Sequence, residues 1–424
     1  MADRHPDRLV VLNDLSHPAG GATAVALESI RLMRARGMAV TLITGDMGDN
    51  PALLADAVEI VALGRRRLRA ANPARAFLSG LYNRAARDMT ARWIAAHDTP
   101  GTVYHLHGWS QILSPAIFEA LAPVRDRLIL SAHDFFLVCP NGSFSFLKTG
   151  RVCPHVPLSP SCVAASCDRR SYAEKLWRVA RQLIQRHFYD PATSPPVLVP
   201  HGAMTPFLRR GGIPAGAIAT LPNPVTAFCR GRIAAEDNRD ILFVGRLEAT
   251  KGPDLALAAA RKAGVTLRVI GDGAMRGDLA ARYPEMRFLG AQSRDGIAEH
   301  AAQARLLLMP SRYPEPYGLV AVEAMWSGLP VIVQKTAMLA PEIVAAGAGF
   351  ACDPLDTSGF AAQIARLAAD DATIADMSAK AFSDTRGLGL SPAAWGERLF
   401  ALYDDRLRGP AGLASVRARS AAPR

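Results

Sequence analysis

Short apolar runs alternate along this chain with stretches whose apolar residues recur every three or four positions. "RLVVLND", "MAVTLITG", "VEIVAL", "TVYHLHG" and "RLILSAH" have strand length, whereas "GATAVALESIRLMRARG" and a segment from the seventies to Ala96 carry helical spacing. The second half repeats the scheme with "ILFVGR", "DLALAAARKAG", "TLRVIGDG", "RFLG", "GIAEHAAQA", "RLLLMPS" and "PVIVQ". A parallel crossover needs a helix, so parallel sheets are covered on both faces and their strands read as continuous apolar runs. The pattern predicts two doubly wound α/β domains. Between them, "ATLPNPVTAF" sets Pro222 and Pro224 around Asn223, and the boundary is placed there, giving domains 1–222 and 223–385. Residues 386–408 hold a last helical pattern, "AAWGERLFALYDDRL" at 393–407, and 409–424 read as a small, basic, disordered tail.

Composition changes this picture in three places. Forty-nine basic against 38 acidic residues give a net charge of +11, with clusters at "GRRRLR", "RAARDMTAR" and "DRRSYAEKLWRVARQLIQRHF". Such patches suit nucleic acid, anionic lipid or a phosphorylated substrate, or they are simply a solvated surface. Nucleic acid has only charge in its favour and is set aside. The helix "YAEKLWRVARQLIQRHF" could lie on an anionic membrane, but packing of Leu176, Val179 and Leu183 into the first core is the preferred reading. The start lacks a signal-peptide core and no run of about 18 apolar residues occurs. The expected location is therefore cytoplasmic, at most peripheral at the inner face of a membrane. Cys139, Cys153, Cys162 and Cys167 are separated by 13, 8 and 4 residues. Structural zinc is one reading of them and a labile disulfide another; buried free thiols are preferred.

Candidate chemistry gathers in "PEPYGLVAVE". Pro314 and Pro316 stiffen the backbone on either side of Glu315, Gly318 opens a helix, and Glu323 lies in its early turns. One glutamate early in a helix ordinarily offsets the macrodipole. Two carboxylates beside an open helix end suit a nucleotide sugar instead, with its diphosphate on backbone amides and its ring hydroxyls donating to the acids. In "VGRLEATKG", Arg246 ends a strand and Lys251 precedes a helix, a pair of cations able to neutralise a diphosphate. Gly20 and Gly21 let backbone approach a ligand closely before the first helix. "VIGDGAMRG" imitates a dinucleotide fingerprint, yet the next strand, "RFLG", lacks the terminal acid, so Asp272 is read as lining a base pocket and not an NAD site. His105, His107, His133 and Asp134 fall at the carboxyl ends of two strands, where open α/β sheets bind ligands. Alternation puts His105 and His107 on one side, with one expected in the core and the other in the crevice. A G-x-S-x-G elbow, a Walker A loop and a D-x-D pair are all missing, and the metal requirement is left unknown.

Taken together, the Gly20–Gly21 loop, "VYHLHG", "LPNPV", "FVGRLEATKG", "GDG" and "PSRYPEPYGLVAVEAMWSGLPVIVQ" resemble the retaining glycosyltransferases of family 4, or glycosyltransferase group 1. "HDFFLVCPNGSF" with the later cysteines looks like a subgroup of them. The resemblance implies the GT-B fold: two Rossmann-like domains facing across a cleft, the first binding acceptor, the second binding donor, and a last helix crossing back to the first. It further implies that Glu323 holds the ribose, Glu315 the transferred sugar, and Arg246 and Lys251 the diphosphate, with Gly21 and the amides near Gly318 and Leu319 assisting. His107 would sit beside the hexose, and His133 and Asp134 on the acceptor side. The implied reaction is retaining, metal-independent transfer of a hexose from a UDP- or GDP-sugar to a carbohydrate or lipid-linked acceptor, in polysaccharide or glycolipid synthesis. No cofactor is required, because the nucleotide sugar is a substrate. An epimerase of the same fold and a non-catalytic sugar-nucleotide-binding subunit are the alternatives. The chain departs from the family's pattern at "PNPV", where many members have Asn-Gly.

Overall fold

The strands of the two large sheets pair parallel throughout, as continuous apolar runs require. The computed structural model describes residues 5–65, 73–168 and 170–408. It contains β1 (Arg8–Asn13), β2 (Ala39–Thr44), β3 (Glu59–Ala62), β4 (Thr102–Leu106), β5 (Leu128–Ser131), a small antiparallel hairpin of β6 (Ser145–Phe146) and β7 (Arg151–Val152), β8 (Val197–Val199) and β9 (Ile218–Thr220). The second half adds β10 (Asp240–Val244), β11 (Leu267–Ile270), β12 (Arg287–Gly290), β13 (Ala304–Met309), β14 (Val331–Gln334) and β15 (Gly349–Cys352). The first large sheet has the order β3-β2-β1-β4-β5-β8-β9 and the second β12-β11-β10-β13-β14-β15. In both, the order reverses beside the first strand, at β1/β4 and at β10/β13. Loops leaving the carboxyl ends of those neighbours splay apart and leave a crevice for ligand.

By internal contacts the chain forms two compact units, Met1–Ser143 with Pro154–Pro222 and Pro392–Arg424, and Phe144–Cys153 with Asn223–Ser391. The hairpin β6–β7 therefore counts with the second unit, where Ser145 Oγ donates to the Arg312 carbonyl at 3.1 Å. The helix Pro392–Leu407 counts with the first, packed on the helix Gly21–Ala35 and on β4.

Two expectations need correction. The helical pattern from the seventies to Ala96 is two helices, Pro73–Leu81 and Arg84–His97. Asn83 breaks it: its carbonyl accepts from Ala86 N at 3.3 Å and its amide donates to Ile112 O at 2.9 Å, which caps the second helix and ties it to the loop after β4. In the helix Tyr172–Phe188, Val179 is buried but Leu176 and Leu183 are exposed. Residues 66–69 of "GRRRLR" and the tail 409–424 lie outside the described residues.

Gly252 shows how closely the site loops of the second unit approach. It has φ 68°, and a Cβ there would lie 2.1 Å from the Pro310 carbonyl oxygen; Gly264, at φ 70°, has nothing within 4 Å of the same position. Both pay left-handed strain on substitution, but only Gly252 adds a backbone clash. Gly252→Ala is expected to destabilise by about 3 kcal/mol and Gly264→Ala by about 1 kcal/mol. Urea unfolding of the two variants measures the difference.

Candidate active site

In the second unit β10 and β13 are neighbours, so the loops leaving them emerge side by side. Ser311, Tyr313 and Glu315 lie on the loop after β13, which bends at Arg312 and Tyr313 and brings the three side chains together while Arg312 reaches other partners. Glu315 is buried, and Lys251 Nζ reaches it from the β10 loop at 2.8 Å to Oε1 and 2.7 Å to Oε2. Tyr313 Oη donates to Oε1 at 3.0 Å and Ser311 Oγ to Oε2 at 2.7 Å. Lys251 also lies 3.0 Å from the Tyr313 hydroxyl. On the other side Arg312 forks onto Asp254 at 2.7 and 2.6 Å and donates to Ala249 O at 2.8 Å. The two loops are thus pinned from both directions.

Burial alone would raise the Glu315 carboxyl. The Lys251 ammonium, with the Ser311 and Tyr313 hydroxyls, overrides burial and holds it below the usual glutamate range. Burial likewise disfavours the charged Lys251, and Glu315 overrides it to keep the lysine above its usual range. The pair is ionised at neutral pH. A carboxylate offers about four acceptor positions, and these four contacts fill them.

Glu323, the fifth residue of the helix Leu319–Met325, is in a different state. Desolvation pushes its carboxyl up to about 7, against the opposing pull of Arg294, whose Nη1 donates to Oε1 at 3.2 Å. Near neutrality it can either accept or donate a hydrogen bond. Gly318 precedes the helix in the left-handed conformation, φ 74° and ψ 54°, with no side chain capping the first turn and Leu319 as the first helical residue. Arg246 is half exposed, with Glu248 at 3.2 Å. Asp272 is exposed on the tight loop after β11, where its Oδ1 accepts from Gly273 N at 2.7 Å and its Oδ2 from Arg276 at 3.2 Å.

The remaining residues singled out from sequence lie in the first unit. Gly20, φ 107°, precedes the helix that begins at Gly21, again without a side-chain cap. His105 and His107 are both buried, which corrects the expectation that one would reach a crevice. The cover comes from the last helix: Tyr403 Oη lies 2.7 Å from His105 Nδ1. A chain of imidazoles continues from there, with His105 Nε2 2.8 Å from Ser131 Oγ, His107 Nε2 3.1 Å from His105 Nδ1, and His107 Nδ1 3.0 Å from His133 Nε2. Burial, aided by His133, pushes His105 down to about 3; burial pushes His133 down to about 4; burial and both neighbours keep His107 well below the usual histidine range. All three are neutral at pH 7. Asp134 caps a turn by accepting from Phe136 N at 2.9 Å.

Sequence reasoning missed Asp14, at the end of β1, which accepts from the amides of Gln111, Ile112 and Leu113 at 2.7 to 2.8 Å and so shapes the loop after β4. It also missed Ser311 and Tyr313, which the bends at Arg312 and Tyr313 bring onto the Glu315 carboxylate. Arg294 and Tyr403 gave no readable signal, being brought in by tertiary packing. Cys139, Cys162 and Cys167 are buried near the Lys175 ammonium, which lies 3.6 Å from Cys162 Sγ and 3.3 Å from Cys167 Sγ. The four residues between Cys162 and Cys167 do meet the upper limit of knuckle spacing. Among the described residues no group of three or more His, Cys, Asp or Glu side chains is arranged to hold a metal ion.

Two parallel α/β sheets with these loops at their switch points define the GT-B class. The crystal structure of Anabaena HepE in complex with UDP superposes with a TM-score of 0.63 at 16% identity, over 92% of this chain and 98% of that one. Residues 230–384 match the model of the glycosyl transferases group 1. That match lies wholly within the second unit. Glycogen synthase of Mycobacterium tuberculosis (strain CDC 1551 / Oshkosh) is 33% identical over 153 residues, and the match spans 34% of this chain but only 36% of that protein. D-inositol 3-phosphate glycosyltransferase 1 of Catenulispora acidiphila is 26% identical over 438 residues, 96% of this chain and 98% of the relative.

Removing one member of a buried pair strands the other. Lys251→Ala is expected to cost about 3 kcal/mol of stability, part of which Glu315→Gln restores in the double variant; a double-mutant cycle in urea reads the coupling. Glu323 gives a pH signature of opposite kind. Its unfolded carboxyl titrates near 4.5 and its folded one near 7, so in that window the unfolded state sheds a proton that the folded state keeps. Stability therefore falls as pH rises from 4.5 to 7 and the loss is complete above it. Glu323→Gln is expected to remove a slope worth about 3 kcal/mol across the window, measured as unfolding free energy against pH.

Proposed function

We propose that this chain is a retaining glycosyltransferase that moves a hexose from a UDP- or GDP-sugar to a hydroxyl of a carbohydrate or lipid-linked acceptor, in polysaccharide or glycolipid synthesis. The observation that carries the reading is the Lys251–Glu315–Tyr313–Ser311 network beside the Gly318 turn, with Glu323 in the helix that the turn opens. It joins a fixed cation to polar groups suited to sugar hydroxyls, on the crevice edge of a group 1 glycosyl transferase domain. HepE, of like fold, holds UDP, which makes a uridine nucleotide the first donor to try.

In this reaction the bond between the anomeric carbon and the diphosphate oxygen breaks, and a bond from the acceptor oxygen forms on the same face. The acceptor proton passes to the departing diphosphate. Negative charge grows on the leaving group, and a preorganised cation there lowers the barrier without reorganising. Lys251 suits that task because Glu315 fixes its position; Arg246, half exposed, would close on the diphosphate from solvent. The resemblance gives Glu315 to the transferred sugar, but its acceptor positions are full. A sugar hydroxyl would reach it by displacing Tyr313 or Ser311. Glu323 would take the ribose hydroxyls, Asp272 would line the base pocket, and the uncapped turns at Gly20–Gly21 and Gly318–Leu319 would meet phosphate oxygens. On the first unit the resemblance sets His133 and Asp134 on the acceptor side, and His107, buried as the chain stands, would meet the hexose only if its cover opened. Protein cations in place of a D-x-D pair favour metal-independent transfer.

Purified protein incubated with UDP-, GDP- and ADP-sugars and simple acceptors tests this. Acceptor-dependent release of nucleotide is expected, reduced roughly a hundredfold or more by Lys251→Ala. Release of a free modified sugar without acceptor would make it an epimerase, and binding without turnover a non-catalytic subunit; either result sinks the proposal.

A further inference from the structure

The helix Tyr172–Phe188 is packed inside out. Lys175, Arg181, Gln182 and Gln185 are buried. Arg181 Nε donates to Gly80 O at 2.8 Å, and Gln182 and Gln185 both donate to Leu137 O, at 3.2 and 2.9 Å. Gln185 Oε1 accepts from Trp109 Nε1 at 3.2 Å, and Arg178 pairs with Asp168 at 2.7 Å. These bonds fix the rotation of the helix, because turning it over would strip the Gly80 and Leu137 carbonyls and the Trp109 indole N–H of these partners. The opposite stripe, at helical spacing, is Tyr172, Leu176, Ala180 and Leu183, and it faces water.

A second helix extends this apolar face. Pro73–Leu81 packs alongside, held by Trp177 Nε1 donating to Phe77 O at 3.1 Å and by the Phe77 and Trp177 rings at 6.2 Å. Tyr172, Leu176, Leu183, Phe77 and Leu78 are 42 to 67% exposed, and they make up five of the ten large apolar side chains exposed among the described residues. Scattered apolar side chains are ordinary on a surface, but a contiguous set held outward by buried polar anchors marks a docking face.

Exposed basic residues flank the two helices along the chain: Arg170 stands before Tyr172–Phe188, His187 lies in its last turn and Arg84 follows Pro73–Leu81, while Glu174, the carboxylate of the long helix, is paired with Arg170 at 2.5 Å. We propose that this face docks on an anionic lipid bilayer, its apolar stripe lying in the interface and its arginines against lipid phosphates. A second copy of the chain fits less well, since two such faces would oppose basic rims on molecules that each carry +11. No helix among the described residues is long and apolar enough to cross a membrane, so the contact is of a helix lying on the surface.

Sedimentation of the full chain with vesicles tests this without donor or acceptor, and so independently of the transfer reaction. Binding is expected to vesicles containing about one third phosphatidylglycerol and much less to phosphatidylcholine alone. Leu176→Ser/Leu183→Ser is expected to weaken it at least tenfold, with nucleotide-sugar turnover on a soluble acceptor unchanged. Leu183→Ser alone serves if the double variant lowers the melting midpoint. Wild-type protein that stays in solution with anionic vesicles would overturn the proposal. So would binding that the serine variants leave unchanged, or a concentration-dependent dimer that those variants dissolve.

Discussion

A buried carboxylate cannot stand beside a buried ammonium unless each is held for the other, and the Lys251–Glu315 pair imposes that condition on the second unit. One member comes from the loop after β10 and the other from the loop after β13, so the pair forms only if both loops take a single shape. Gly252, Arg312 and Asp254 bring them to that shape, and Tyr313 and Ser311 complete the carboxylate's contacts. The cost of desolvating two charges is offset here by short hydrogen bonds to every available acceptor position. What the arrangement provides is a cation fixed in position by its buried partner.

The first unit solves a similar problem by a different chemistry. Asp14 stands at the end of β1, the counterpart of β10 at the reversal of strand order, and it too fastens a neighbouring loop. Its hydrogen bonds come from neutral amides, and burial outweighs them and the more distant charge of Arg181 to raise its pKa, whereas Lys251 in direct contact lowers that of Glu315. The His105–His107–His133 chain is kept neutral by the same burial, so each ring can donate through one nitrogen and accept through the other. One unit thus holds a fixed charged pair and the other a chain of neutral polar groups.

Much of the architecture was legible in the chain. Two sets of parallel strands follow from continuous apolar runs separated by amphipathic stretches, and the resemblance carried by "FVGRLEATKG" and "PEPYGLVAVE" pointed to the family that residues 230–384 match. The illegible parts share a cause: they depend on partners distant in sequence. Asn83 breaks a helical pattern because Ile112 offers a carbonyl, and His105 is covered because Tyr403 returns from 298 residues away. The helix Tyr172–Phe188 misled for a subtler reason. Its amphipathic pattern is unmistakable, but periodicity shows that two faces differ and not which of them is inside. Trp109, Gly80 and Leu137 supply hydrogen-bonding partners that make the polar face the buried one.

The central claim is that Lys251 and Glu323 belong to one nucleotide-sugar site, the first on the diphosphate and the second on the ribose. A crystal structure of the chain grown with UDP tests it most directly. The account requires diphosphate oxygens within hydrogen-bonding distance of the Lys251 ammonium and a ribose hydroxyl on the Glu323 carboxyl. A nucleotide seated away from both side chains would contradict it.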